Sequence, residues 1–421
     1  MPDSSSSTPT RPRDNWRHYA WVIVAVGTLG VFGSLGLARM GYSIILPSMQ
    51  AGLKLDNTHA GALSAANLVG YLVLAVLGGM LAARFGARYV IAFSIALIGV
   101  AMLMTGFART FAEAMIWRTL TGIGSGSTNV PVMGLISGWF APRKRGLAAG
   151  IGVSGSSLAL ISTGPLVPYV LSIYGPEGWR TCWFILGGVT VLIAVVALVL
   201  LRNHPSDAGL HPYGSETAEA VASPAQTGLQ WGAVYRSKHI WHLGFVYIAY
   251  GLAYMIYMTF FVKALIAQGG YTPKGAGNLF MTMGWFSLLA GSIWGTVSDV
   301  IGRKGALIVV YLIQAVSFGL FALLPTPLGF TLSAILFGIT AWSIPAITAA
   351  ACADMLGPRL APAGLGFVTL FLGIGQAVGP MVAGAMADHY QSYLPAVLTA
   401  AIASVCGAIG AAFLKPTTVC E

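Results

Sequence analysis

The chain has 421 residues, of which 56% are hydrophobic and only 8% charged, and its formal net charge is +10. Soluble proteins devote roughly a quarter of their residues to charge, so the composition excludes a soluble fold and points to an integral membrane protein. The basic residues are scattered through short loops with no basic patch, which excludes a nucleic-acid partner.

Residues 1–16 are polar and rich in Pro and Ser, without an apolar run of their own, and read as a disordered tail rather than a cleaved signal. Twelve apolar segments follow, at 18–47, 60–83, 88–108, 111–140, 146–172, 179–201, 239–268, 274–300, 304–324, 328–356, 363–388 and 393–414. Each is long enough to span a bilayer as a helix, and the runs are continuous rather than alternating, which argues against a β-barrel. The 54 glycines suit close helix packing in lipid. The expected fold is all-α, with twelve transmembrane helices in two six-helix bundles, 17–201 and 239–415. A Pro-, Gly- and Ser-rich linker, 202–238, joins them, and residues 416–421 form a second short tail.

The first segment contains "LGLARMGYSIILP". A charge such as Arg39 inside a membrane costs at least ~2.5–3.5 kcal/mol and should face a cavity or a partner. At α-helical spacing Gly36, Tyr42 and Ser43 share its face. Its planar guanidinium suits a carboxylate; the plainer alternative is a charge that snorkels or bonds carbonyls at a helix break. The second segment offers Asn67 and Tyr71. The fourth carries Glu113, Arg118 and Asn129, the last three turns from Arg118 on the same face. Glu113 is the expected partner of Arg118, whose plain reading is a bond to carbonyls of neighbouring helices.

The fifth segment holds Ser154, Ser156 and Ser157. In the seventh, Tyr247, Tyr250, Tyr254 and Tyr257 form one helical face, able to bond a carboxylate or pack an apolar substrate body. Asn278, Thr282 and Trp285 in the eighth, Trp342 in the tenth and Gln376 in the eleventh are further cavity candidates, each equally able to bond helices together. Lys263, Asp388 and His389 fall near the outer ends of the seventh and eleventh segments, as gate residues or exposed end charges.

With the N-terminus assigned to the cytoplasm, fifteen of the 22 Lys and Arg fall inside and five outside, with Arg39 and Arg118 in the membrane. This places both termini and the linker in the cytoplasm. The halves repeat. "GGMLAARFGARYV" from Gly78 aligns with "WGTVSDVIGRKGA" from Trp294 on a shift of 216, which also sets Gly122 on Gly338 and Pro142-Arg143 on Pro358-Arg359. Parallel repeats around a central site belong to secondary transporters.

The loop "GTVSDVIGRK" resembles the basic loop between second and third helices in each half of the major facilitator superfamily. In the first copy, "GMLAARFGAR", Ala83 replaces the usual Asp. "RTLTGIGSG" resembles the superfamily's fourth-helix motif, and "GIGQAVGPMVAG" with "STGPLVP" its Gly-Pro bends. "LARMGYSIILPSMQAGLKL" looks most like the YbfB/YjiJ-like branch. The resemblance implies inner-gate roles for Arg88, Asp299 and Arg303, and a coupling or helix-fixing role for Arg118. Monocarboxylate and oxalate transporters, more distantly similar, tend to carry a basic residue in the eighth or eleventh helix. Here neither segment has one at its centre, so an anion site would draw its charge from the first.

No Asp or Glu lies at the centre of any segment, and the seven histidines sit at ends or in loops. A carrier of neutral sugars with protons, or of cations, needs such a carboxylate; an anion can bring its own proton. There is no phosphate-binding Gly-rich loop, catalytic triad or metal-ligand spacing, and Cys182, Cys352, Cys406 and Cys420 read as packing or tail residues. The expectation is a monomeric secondary transporter in the bacterial inner membrane, without cofactor or metal, that moves a small organic anion by alternating access with protons. The alternatives are efflux of apolar or aromatic compounds, anion exchange, and a receptor on the same fold.

Overall fold

The computed structural model describes residues 18–214 and 231–414. Both expected tails, residues 1–16 and 416–421, and positions 215–230 of the expected linker lie outside the described residues.

The first span is interrupted: α1 (Ala20–Val31) passes into a π-helical segment, Phe32–Met40, and then into α2 (Gly41–Leu53). Next come α3 (Asn57–Phe85), α4 (Ala87–Phe107), α5 (Phe111–Trp139), α6 (Pro142–Val153) with α7 (Gly155–Tyr174), and α8 (Gly178–Leu200). After the connection and α9 (Trp231–Arg236), the second set runs through α10 (Lys238–Ala267), α11 (Pro273–Ser287) with α12 (Ala290–Ile301), α13 (Arg303–Leu323), α14 (Pro327–Gly338), α15 (Ser343–Tyr390) and α16 (Leu394–Ala412). α15 joins two spans at a kink where Gly357 has φ 75°. Among the described residues the helices group into twelve spans, with ends close to those expected from sequence.

The repeat is carried by caps as much as by apolar pattern. α3 begins at Asn57 and α11 at Pro273, α4 at Ala87 and α13 at Arg303, α5 at Phe111 and α14 at Pro327, each 216 residues apart. Asp56 caps α3 and Thr272 caps α11; Thr110 caps α5 and Thr326 caps α14. Each satisfies a free N–H of the first turn. The left-handed turns at Gly86 (φ 87°) and Gly302 (φ 81°) fall in the same register. The shared register of three successive helix starts reflects one duplicated unit.

Lipid supplies no hydrophobic drive between helices, so packing relies on close backbone approach. Between α3 and α5, a Cβ on Gly122 would come 1.9 Å from the Asn67 carbonyl, and one on Gly126 2.2 Å from that of Tyr71. Between the halves, a Cβ on Gly61 would meet the Pro380 carbonyl at 2.1 Å, and one on Gly277 that of Gly164 at 2.2 Å. These two seals are related by the 216-residue shift. The described ends of the linker are packed rather than loose: Tyr213 donates its N–H to Trp139 O and accepts from Ala141 N, with Lys144 over its ring at 4.5 Å.

Candidate functional site

The π-register explains how Arg39 is placed. Closing on i−5 rather than i−4 breaks the face-sharing expected of an α-helix, and Gly41 N–H bonds Gly36 O in this way. Gly36 therefore packs on α7, where its Cβ position is 2.4 Å from that of Ala159. Tyr42 turns toward α3 and α5: its hydroxyl donates to Ala60 O (2.7 Å), and its ring lies 4.4 Å from the Arg118 guanidinium carbon. The expectation that Tyr42 shares a face with Arg39 is thus corrected, and the π segment is the cause.

Arg39 is only 8% exposed. Its Nε and Nη2 are buried and have no hydrogen-bond partner among the described residues. The guanidinium lies 4.7 Å from the centre of the Tyr71 ring, and Tyr254 of the other half is within electrostatic reach. Tyr254 also points its hydroxyl at Met40 Sδ (3.7 Å), next to Arg39 in the chain. A buried cation with two free donor nitrogens has the chemistry to donate hydrogen bonds to an anionic group.

Arg118 differs in degree: its Nε is also buried without a hydrogen-bond partner among the described residues, but its other end is engaged. It donates Nη1 to Ala38 O at 2.7 Å and lies against the rings of Tyr42 and Trp183. Ser125, two turns on, donates to Ser34 O at 2.9 Å. Both acceptors are carbonyls of the π segment, so α5 holds that irregular stretch in place. Glu113 is not the partner of Arg118. It is exposed at the start of α5, where it accepts Arg109 N–H (2.7 Å) and its own N–H is capped by Thr110. The first turn of α5 satisfies Glu113 locally, and among the described residues Arg118 has no carboxylate partner.

Asn67 is buried and donates to Arg118 O (3.2 Å), while its Oδ1 has no partner among the described residues. Asn129 donates to the Tyr71 hydroxyl at 3.4 Å, which joins it to the Arg39 cluster. The tyrosines of α10 divide. Tyr250 donates to Ala341 O (2.6 Å), and Tyr257 bonds Ser333 Oγ (2.7 Å) amid Phe261, Phe318, Phe321 and Phe337, so both hydroxyls serve packing within the second half. Tyr247, Tyr250 and Tyr254 stack in a ladder with spacings of 5.9 and 5.5 Å.

Tyr247, not singled out from its stripe by sequence, is the member whose hydroxyl makes no hydrogen bond among the described residues; it lies within electrostatic reach of Tyr71. Trp342 meets Tyr254 edge-on at 6.0 Å and donates across the halves to Ser157 Oγ (2.9 Å), which also accepts from Ser287 (2.8 Å). Gln376 is buried without a side-chain hydrogen bond among the described residues. Asn278 and Trp285 are exposed, Trp285 to 58%, and α11 turns a different face to its neighbours, so the structure does not bring them to this cluster.

The gate candidates separate by end. Where α2 meets α3, Asp388 accepts from Asn57 N (3.0 Å), Thr58 N (2.7 Å) and both side chains. It caps the opposite half's helix, a favourable place for a carboxylate. Lys263 donates to Gln50 and Asn57, and the Tyr393 hydroxyl donates to Asn57. Gln50, Asn57 and Tyr393 carried no sequence signal, because the bonds that join them to Lys263, to Asp388 and to one another include ones that cross between the halves. At the α3–α4 end the bonds stay within halves. Arg88 bonds Asn203 and Leu198 O. Arg303 pairs with Asp299 (2.5 Å) and Asp354 (2.9 Å). The halves are thus latched at one end and not by ion pairs at the other, among the described residues.

A family profile described as "Uncharacterised MFS-type transporter YbfB" matches residues 31–411. The probable sulfoacetate transporter SauU of Cupriavidus necator is 25% identical over 90% of each chain. The hexuronate transporter of Bacillus subtilis is 22% identical over 86% of this chain and 87% of its own. The crystal structure of a bacterial homologue of the human lysosomal transporter Spinster shares the fold with a TM-score of 0.74 at 16% identity, covering 94% of this chain and 96% of that one. The duplicated six-helix architecture and the match across nearly the whole chain agree: this chain belongs to the YbfB family of major facilitator superfamily transporters, which are carriers and not enzymes.

Proposed function

We propose that the protein is a secondary carrier of small organic anions, working by alternating access with Arg39 as the residue that holds the anionic group. The observation that carries the reading is a buried guanidinium with two free donors. An isolated charge at membrane depth is costly, and a carboxylate or sulfonate arriving there supplies the missing acceptors. Tyr71 and Asn129 from the first half, and Tyr247, Tyr254 and Gln376 from the second, would surround the rest of the substrate. Relatives named for sulfoacetate and hexuronate support an anionic cargo.

The charge distribution of the loops sets the α2–α3 end outside and the termini in the cytoplasm, in a bacterial inner membrane. The latched end is then the outer one. With no carboxylate at the centre of a span, the coupling proton is carried by the substrate. A single chain contains both halves of the site, so the working unit is a monomer.

The test is counterflow into proteoliposomes with sulfoacetate, glucuronate and neutral analogues of similar size. Wild type should exchange the acids, and Arg39→Gln, still folded, should not. Equal transport by Arg39→Gln, with neutral compounds accepted, would replace this reading with efflux of apolar compounds.

A further inference from the structure

The basic loops of the two halves are satisfied differently. In the second half, Arg303 is closed by Asp299 and Asp354, with Ser298 Oγ accepting at 2.6 Å. The 216-residue shift maps Asp299, Arg303 and Asp354 onto Ala83, Ala87 and Gly138, so the first half has neither the acids nor the arginine between them. It has Arg84 where the second half has Val300, and Arg88 where the second half has Lys304. Arg84 is exposed, rests on the ring of Phe85 at 5.4 Å, and has no hydrogen-bond or ion-pair partner among the described residues. Arg88 uses Nε on Leu198 O and sits by the ring of Tyr89 at 5.4 Å.

Beside these cations an apolar groove of about 480 Å³ opens between α3 and α4. Leu74, Leu81, Phe85, Phe93 and Leu97 wall it, with Ser94 bonded to Ser127 at its floor. The counterparts of Phe85, Tyr89 and Phe93 in the second half are Ile301, Gly305 and Val309, which cannot build the same walls.

We propose that this groove binds one anionic phospholipid, its acyl chain between α3 and α4 and its phosphate on Arg84 and Arg88. The lipid phosphate would meet two cations that no carboxylate pairs with among the described residues. Basic pockets between spans are suited to anionic headgroups, and an apolar slot leading from the cations selects a lipid over a soluble phosphate.

The experiment uses the full chain in a neutral detergent, titrated with phosphatidylglycerol or phosphatidylcholine of identical acyl chains. Binding is read by native mass spectrometry and by thermal shift. Glycerol phosphate at equal concentration is the soluble arm. Wild type should favour phosphatidylglycerol by about 30-fold, about fivefold from each of the two cations. Arg84→Gln, at an exposed position, should cut that preference about fivefold while phosphatidylcholine binding stays constant. Ala83→Asp, which places a carboxylate beside Arg84, should cut it too. No preference in wild type, a preference unchanged in Arg84→Gln, or equal protection by glycerol phosphate would each overturn the proposal.

Discussion

Arg39 and Arg118 of the first half stand where the repeat places Met255 and Ala334 in the second. The second half answers with rings: the Tyr247–Tyr250–Tyr254 ladder, Phe337 and Trp342 pack at the same level. The irregularities are divided as well. The first half has its π segment in the first span and a break at Ser154, whereas the second has a regular α10 and breaks after Ser287 and after Gly338. One duplicated backbone has therefore been specialised, with charge on one side of the pseudo-twofold and an aromatic wall on the other. The two arginines show how finely this is done. Arg118 spends a donor on the carbonyl of Ala38, directly before Arg39, and so fixes the segment that leaves Arg39 with donors to offer.

This contrast can be broken in order of expected effect. Arg39→Gln should lower anion transport by at least about 30-fold, since truncating one side of a buried charged pair costs ~2–5 kcal/mol; its unliganded unfolding midpoint should not fall. Arg118→Ala should do the reverse, lowering the midpoint without ligand by an amount equivalent to about 2–4 kcal/mol, from a lost charged hydrogen bond and two ring contacts. If both variants lose transport and keep stability, the two arginines are alike and the division fails.

Gly61→Ala tests the seal between halves. Its Cβ would sit 2.1 Å from the Pro380 carbonyl, an overpacking that costs about 1–3 kcal/mol. The latched state should be depleted, which spin-label distances across the α2–α3 end would register. Tyr250→Phe should cost about 1 kcal/mol of stability with transport retained, since its hydroxyl serves Ala341 O. Asp388→Asn should act most weakly, by about 0.3–1 kcal/mol for weakened capping of α3, and in the same direction as Gly61→Ala in the distance measurement.

The spans and their repeat were readable because apolar length and the glycine turns are local signals. The caps Asp56, Thr110, Thr272 and Thr326, which played no part in that reading, fix the helix starts in the same register. The identity of Arg39 as a buried cation was equally plain. Its surroundings were not, because the α-helical period assigned Tyr42 to its face, and a nine-residue π segment moved it. Glu113 is the expected partner of Arg118 because it is near on the same helix, but its carboxylate accepts instead from the Arg109 N–H just before α5. Tyrosines spaced on one face of α10 looked equivalent, but the direction of each hydroxyl depends on Ala341 and Ser333, which come from distant spans. The latch formed by Asp388, Asn57 and Lys263 is legible only once both halves are in place.

The central claim is that Arg39 lacks a partner because the substrate is its partner. The most direct measurement is the thermal shift of purified wild type and Arg39→Gln against sulfoacetate, glucuronate and neutral analogues. A ligand at about 100 times its dissociation constant adds ~2.7 kcal/mol of apparent stability. The account predicts that an acid stabilises wild type by this order, that its neutral analogue does not, and that Arg39→Gln responds to neither. Equal stabilisation of both proteins by the same acid would contradict it.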